Sequence, residues 1–566
     1  MITAVLGIIL LVFFLRNVDN GASPVWLFTG VILVSLGNVM AFLTIDKRLV
    51  HFFFILFITT FFLMTMFDVR FGTMQGSDIT AEYVTSKITV NDGSWLLARA
   101  DQGEAYFSSA SVSILPAIIC KVTGLDLMPI FQWVLRLVIA ILPILIFLTV
   151  KEIFQNVKLA GLSALIFSQF YFNFNLLNFL IRQGIAEIFL VLTFFLVVKL
   201  HRSESKSLAY AVLIPFSMFG LVIGHYTLNY WSVIIIGFIF VLCFAIGSLP
   251  KKLLVLFRIV NLKMEKPILS SVFLVFFIAM SAFWIYFTNL TSFLITVHNE
   301  LSLLSPRTTV ISSISQSSWI FNNPAGPIVG YWFILTAALI AFGFVYAIFK
   351  IPKRSQHVPW IGGGLIMLGT MGLWVVAGNL MLGLYLDRIY TMGAIFFTTF
   401  AAFVLLFADK KLKVVVIIFL LLNLPINMLL PSYQRYVLYT QEKSVNPEVA
   451  VNQRYIRVPE FTAAVWLRQH AADNMTFYTD FGNAWYYAGD RVSYLHSEDP
   501  PTNTTNVNSV YFIFHYYNLK YSLWQKIIAG STLGVTETFA IDSYLNSSSV
   551  FYNNGEAAIT ARVQTT

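Results

Sequence analysis

The sequence predicts an α-helical polytopic membrane protein of about 13 spans, followed by a small extracytoplasmic α/β domain, on three observations. Of its 566 residues, 58% are hydrophobic and 11% charged, whereas a soluble domain carries about 25% charged residues. Apolar runs close to the length that crosses a bilayer recur from the start of the chain to about position 430. Lys and Arg gather in alternate short loops between those runs, the pattern that sets membrane orientation.

The composition excludes several classes. The 54 Phe residues and a mean hydropathy of +0.77 leave too little polar surface for a soluble fold of this size, so lipid must solvate most of the chain. A net charge of +9 could suit nucleic acid. The basic residues sit between apolar runs, however, and this placement implies a membrane and no nucleic acid. Cys120 and Cys243 both lie in apolar sequence and cannot build a disulfide framework or a cysteine metal site.

The expected spans lie at 1–15, 25–45, 50–67, 128–150, 159–180, 183–199, 207–223, 228–249, 268–288, 327–350, 358–378, 389–408 and 412–430. The first could be a signal-peptide core, but no basic segment precedes it, so it reads as a short first span. The run at 110–119 is short and holds Pro116, which suggests an interfacial or re-entrant piece. One set of loops carries Lys47, Arg48, Lys151, Lys158, Lys199, Arg202, Lys206, Lys251, Lys252, Arg258, Lys263, Lys266, Lys350, Lys353, Arg354, Lys410, Lys411 and Lys413. That set is expected in the cytoplasm with the N-terminus, which puts the C-terminal region outside. The Asn-x-Ser/Thr sequons at Asn289, Asn474, Asn503 and Asn546 all fall on the expected outer side.

Two domains follow: a transmembrane domain over 1–430, with large outer loops at 68–127 and 289–326, and an extracytoplasmic domain over 431–566. Helical spacing at 79–90 and 290–304 suggests helices lying on the membrane surface. In the last segment, 458–470 reads as an amphipathic helix, and 475–479, 492–496 and 510–516 read as strands.

Polar residues at the outer ends of the spans are the candidates for chemistry. In Gly76-Ser77-Asp78-Ile79-Thr80-Ala81-Glu82-Tyr83 the two carboxylates are four residues apart, so a helix puts them on one face. A charge at the membrane edge is expensive and is usually employed. The same residues would also suit a helix cap and first turn. Arg182 and Glu187, with Asn173, Asn175 and Asn178 on the preceding run, could line an outward cavity, or Arg182 and Glu187 could pair to fix packing. His225 and Tyr226 stand at another outer turn, where a lone His is more often a hydrogen bonder than a ligand. Arg388 could hold a phosphate bidentately or pair with Asp387. Arg136 sits nearer mid-membrane and calls for a structural partner. There is no Gly-rich phosphate loop, no His-Glu-x-x-His and no Gly-x-Ser-x-Gly, so any reaction would use a substrate already energised.

An outer-loop Asp with a Glu four residues on resembles the signature of the GT-C membrane glycosyltransferases. Gly-Ser-Asp-x-x-x-Glu-Tyr at 76–83, Ser-Ile-Leu-Pro at 113–116, Arg-Gln-x-x-Ala-Glu at 182–187, Gly-His-Tyr at 224–226 and Tyr-Asn-Asn-Gly at 552–555 are similar to an archaeal family of uncharacterised membrane proteins. The signature loop follows two or three spans rather than one, and a strict Asp-x-Asp is missing. The GT-C resemblance implies an enzyme of the cell membrane that takes sugar from a polyprenyl (dolichyl) phosphate and passes it to a protein, glycan or lipid acceptor. It implies Asp78 as base, with Glu82 orienting it or sharing a divalent cation, Mg or Mn, if one is used. Arg182 and Arg388 become donor-phosphate clamps. His225 and Tyr226 become acceptor-side residues, with Glu187 and Asp387 lining the cavity. A transporter or flippase, or a non-enzymatic scaffold for surface assembly, would use the same buried charges differently.

Overall fold

The computed structural model describes residues 1–17, 22–71, 74, 77–95, 106–170, 180–202, 207–248, 271–288, 326–350, 357–377, 386–407, 413–440, 462–463, 466 and seven β-strands. The expected outer loop at 289–326 lies almost wholly outside them, as do Asn173, Asn175, Asn178 and the sequon asparagines.

The helices, in chain order, are α1 (Ile2–Asn17), α2 (Pro24–Leu43), α3 (Leu49–Phe71), α4 (Ser77–Asp92), α5 (Ala110–Ser113) and α6 (Leu115–Thr123). They continue with α7 (Leu127–Phe154), α8 (Val157–Gln169), α9 (Ile181–Arg202), α10 (Ser207–Gly224), α11 (Tyr226–Ser248) and α12 (Ser271–Phe287). The last four are α13 (Gly326–Lys350), α14 (Val358–Ala377), α15 (Leu386–Phe407) and α16 (Lys413–Thr440). Among the described residues, five helices are long and apolar enough to cross a membrane: α2, α3, α7, α9 and α11. The other expected spans are helical too, but in described apolar pieces of 10–17 residues. Among the described residues, five of the expected spans therefore meet the crossing length in full, and the others are described as shorter apolar helices.

Local sequence accounts for the helix ends. Ser23 caps α2, its hydroxyl accepting from the Val25 N–H at 3.4 Å, and Pro24 fills the first helical position, where no N–H is needed. Asn156 caps α8 by accepting from the Leu159 N–H at 2.9 Å. The turn before it places Gln155 at φ 56, the left-handed C-cap position. Inside α7 a π-helical turn at Ile130–Val134 follows Pro129, which stands in the first turn, where no N–H partner is needed.

Packing agrees with a lipid solvent. Tyr286 is 81% exposed and Phe216 69% exposed, a cost that lipid removes. α1 lies against α2 through small residues. A Cβ on Gly30 would come within 2.9 Å of the Gly7 carbonyl oxygen, and one on Gly37 within 2.5 Å of Ala4 Cβ. Such small residues let two backbones approach closely, the usual seam between membrane helices. Polar side chains join other helices. Asn423 of α16 donates to Gln169 of α8 at 3.2 Å and accepts from Trp332 of α13 at 3.0 Å.

Several boundaries differ from the sequence reading, among them the end of α16, at Thr440 rather than 430. α3 runs on to Phe71, so Asp68 is the buried last-turn residue of a helix rather than the start of a loop. There it forms an ion pair with Arg136 of α7, both side chains fully enclosed, which supplies the structural partner that Arg136 required. The surface helix expected at 79–90 is present as α4, two residues longer at each end because Ser77 and Asp78 suit a first turn and Asp92 precedes Gly93 at φ 67.

In the C-terminal region the strands are β1 (Met475–Thr479), β2 (Val492–His496), β3 (Ser509–Phe514), β4 (Leu523–Ile527), β5 (Val535–Ala540), β6 (Ser549–Asn553) and β7 (Ala558–Val563). Five form a mixed sheet in the order β2-β1-β3-β7-β6, and β4 pairs with β5 separately. β1 runs parallel to both β2 and β3, while β7 runs antiparallel to β3 and β6. Parallel neighbours require crossover connections. The residues that would make them are outside the described set, as is most of the helix expected at 458–470, of which Thr462, Ala463 and Trp466 are seen as helical.

Candidate functional site

The site is built where α4, the turn at Tyr106, the start of α9 and the start of α11 meet. Asp78 and Glu82 stand one turn apart on α4, on the face expected from their spacing. Arg182 is the second residue of α9, 104 positions from Asp78 in sequence. Its guanidinium reaches both carboxylates: Nη2 to Asp78 Oδ1 at 3.4 Å and Nη1 to Glu82 Oε1 at 3.3 Å. Arg182 and Glu82 are fully buried, whereas the Asp78 side chain keeps 24% of its surface exposed. Of the two carboxylates, only Asp78 can meet an incoming substrate.

Glu82 has a second task. Its Oε2 accepts from the backbone N–H of Ile181, the first residue of α9, at 3.1 Å. The first N–H groups of a helix have no partner within the helix, and the helix dipole favours an acidic group there. One carboxylate therefore ties α4 to the N-terminus of α9 and holds Arg182 beside it.

Tyr106 completes the cluster, and nothing in the spacing pointed to it. Its hydroxyl donates to Asp78 Oδ1 at 2.6 Å, and its ring covers the Arg182 guanidinium at 4.2 Å. Burial first, then the Asp78 charge, push the Tyr106 hydroxyl above its ordinary range, so it keeps its proton and remains a donor. Two tryptophans frame this turn. Trp95 donates to the Phe107 carbonyl and Trp284 of α12 to the Ser108 carbonyl, each at 3.1 Å, and the two indoles stack at 6.0 Å.

Tyr226 forms the other wall, its ring 5.7 Å from the guanidinium. His225 beside it is buried and caps α11. Its Nδ1 accepts from the Leu228 N–H at 3.1 Å, and its ring stacks on Tyr226 at 5.1 Å. The preceding carbonyl of Gly224 accepts from Ser111 of α5 at 2.6 Å, which ties the loop helices to this corner.

The remaining candidates are Glu187, Asp387 and Arg388. Glu187 is buried within α9 and accepts from Gln183, one turn back, at 2.9 Å. Arg182 thus pairs with Asp78 and Glu82, not with Glu187. Asp387 and Arg388 fall in the first turn of α15, and their side chains are outside the described set. Nearby Tyr390 is buried and stacks on Phe170 at 4.9 Å.

Burial, the largest influence, pushes the Glu82 carboxyl up to about 8, against the pull of Arg182 and with a further rise from Asp78. A carboxyl raised in the folded state stabilises the fold while protonated. That contribution is complete below 4.5, its ordinary value, and is lost as pH rises through about 8. Glu82→Gln is neutral at every pH and nearly the same shape. The variant is expected to keep its thermal midpoint between pH 6 and pH 9, while the wild type declines across that window. Parallel decline in both would show that another group controls the loss.

No family model and no curated protein matches the chain. Among solved structures, the chain is similar to the Archaeoglobus fulgidus oligosaccharyltransferase tethered with an acceptor peptide, at TM-score 0.48 and 13% identity over 80% of this chain and 64% of that one. The chain thus spans 64% of the length of that enzyme. The archaeal oligosaccharyltransferase AglB from the same organism, in complex with an inhibitory peptide and a dolichol-phosphate, gives 0.48 at 11% identity over 83% and 70%. ArnT from Cupriavidus metallidurans, bound to undecaprenyl phosphate, gives 0.37 at 10% identity over 92% and 99%.

Proposed function

We propose that this chain is a membrane glycosyltransferase that moves a sugar from a polyprenyl-phosphate donor to an acceptor hydroxyl at the outer face of the cell membrane. The observation that carries the reading is the state of Asp78. It is a partly exposed carboxylate at the end of a helical bundle, oriented by Tyr106 and Arg182 and backed by a sealed second carboxylate. A general base needs this combination: access to the incoming proton, and neighbours that fix its direction.

The reaction balances without a nucleotide. The acceptor oxygen forms a bond to the sugar's anomeric carbon as the bond from that carbon to the phosphate oxygen breaks. The acceptor proton passes to Asp78, and polyprenyl phosphate leaves with the bonding pair. Tyr226 is adjacent and suits the acceptor side, and His225 holds it by stacking. Arg388, at the start of α15, is assigned to the leaving phosphate, since a guanidinium matches two phosphate oxygens. Arg182 is already engaged by two carboxylates and sealed, so its part is to hold Asp78 rather than to clamp phosphate. In this reading the N-terminus is cytoplasmic, and residues 431–566 form the extracellular domain that presents a protein, glycan or lipid acceptor.

The test is reconstitution. Full-length protein in liposomes, given a radiolabelled polyprenyl-phosphate sugar and candidate acceptors, is expected to release polyprenyl phosphate and label an acceptor. Movement of intact donor between leaflets without bond cleavage would replace this reading with a flippase.

A further inference from the structure

We propose that Arg182 is the resident cation of this site, occupying the seat between Asp78 and Glu82 that a divalent ion would take, so that transfer needs no divalent ion. The inference deepens the glycosyltransferase reading and rests on it for its activity arm alone.

The donor set argues first. Two carboxylates one helical turn apart invite a divalent ion bridging them, and the GT-C resemblance leaves room for one at Asp78 and Glu82. Mg²⁺ demands near-octahedral oxygen ligands at roughly 2.0–2.1 Å and usually retains several waters. Here the facing oxygens, Asp78 Oδ1 and Glu82 Oε1, both face the two terminal nitrogens of one guanidinium, at 3.4 and 3.3 Å. The other Glu82 oxygen is committed to the Ile181 N–H. Glu82 is fully buried, so no shell of water can form on its side. Among the described residues, no three His, Cys, Asp or Glu side chains lie close enough together to hold a metal ion.

The surroundings argue second. The guanidinium is enclosed, with the Tyr106 ring at 4.2 Å and the Tyr226 ring at 5.7 Å. Aromatic faces attract a cation electrostatically, and Arg stays charged at any relevant pH. A planar fork suits two carboxylates on separate turns, and a compact ammonium would reach only one well. The pocket is thus shaped for a guanidinium, with α4 supplying the carboxylates and α9 the cation. Arg182 acts through Asp78 and is a positioning residue.

The first experiment uses no activity. Purified full-length protein in nanodiscs is titrated with Mn²⁺ and followed by electron paramagnetic resonance. The wild type is expected to bind no stoichiometric Mn²⁺ at this site. Arg182→Ala vacates the seat and is expected to gain about one Mn²⁺ per chain, and adding Asp78→Asn should abolish that gain. Wild-type protein that binds one Mn²⁺ per chain, lost on Asp78→Asn, would overturn the proposal. So would an Arg182→Ala protein that gains none. Arg182→Gln, which keeps more of the packing volume, takes its place if the alanine variant does not fold. The second arm measures wild-type transfer after exhaustive chelation. Unchanged rates are expected, and a loss restored by Mg²⁺ or Mn²⁺ would also overturn the proposal. If no donor is turned over under any condition, the glycosyltransferase reading falls while the resonance titration still decides which cation fills the seat.

Discussion

Asp78→Asn is expected to reduce transfer at least about a hundredfold, the lower end of what a positioned base contributes. Asn keeps the size of the side chain and its ability to accept from Tyr106 and Arg182, so the cluster should assemble. What it cannot do is take a proton from the acceptor. Donor saturation should change little, because the sugar phosphate does not depend on Asp78 for binding. The measurement is initial rate on purified protein that retains wild-type elution and melting behaviour. Near-normal turnover would demote Asp78 to a first-turn helix residue. Asp68 could not take its place, since it is sealed against Arg136.

That sealed pair gives the second large effect. Arg136→Leu is expected to destabilise the protein by roughly 3–5 kcal/mol, the usual consequence of stranding one partner of a buried ion pair. Both side chains are fully enclosed, so water cannot compensate the carboxylate that remains. The double variant Asp68→Leu/Arg136→Leu removes both charges and should recover most of the loss, since apolar replacement of a whole buried pair is often neutral or better. Chemical denaturation or thermal melting in detergent checks both. A single variant no less stable than the double one would mean that the pair holds nothing together. Asp78→Asn and Arg136→Leu also separate two kinds of charge in one bundle: the first should alter rate and spare stability, the second the reverse.

The sequence made the periodic elements legible. The 79–90 run gave α4 to within two residues because Ile79, Tyr83 and Ser86 recur on one buried face. Alternation placed β1 and β2 at the residues where they occur. Hydropathy found the apolar helices, but it could not show the π-turn at Ile130–Val134 inside α7, which lies within one continuous apolar run. The end of α3 was misplaced for a related reason. Asp68 reads as a loop residue when only its own neighbourhood is weighed, and its partner lies on another helix.

The site was legible in its acids and not in its connections. Four-residue spacing placed Asp78 and Glu82 on one face, and a boundary position singled out Arg182. Pairing Arg182 with Glu187 looked reasonable by proximity along the chain, yet side chains five apart on a helix do not face each other. Tyr106 carried no signal, since one Tyr in an irregular stretch has no period. Trp284 and Ser108, 176 positions apart, could be joined only by the fold.

The bond between Glu82 and the Ile181 amide has a consequence in time. The two residues are 99 positions apart. At ribosomal rates of about 5–20 residues per second, some 5–20 s pass between the synthesis of one and the other. During that interval two acidic side chains wait for the arginine that will sit between them, and α9 cannot be capped until it is inserted beside them. The cluster therefore cannot form until residue 182 of the 566 has been added. A ribosome stalled before codon 181 would leave a nascent chain that holds both acidic side chains and lacks the arginine that sits between them.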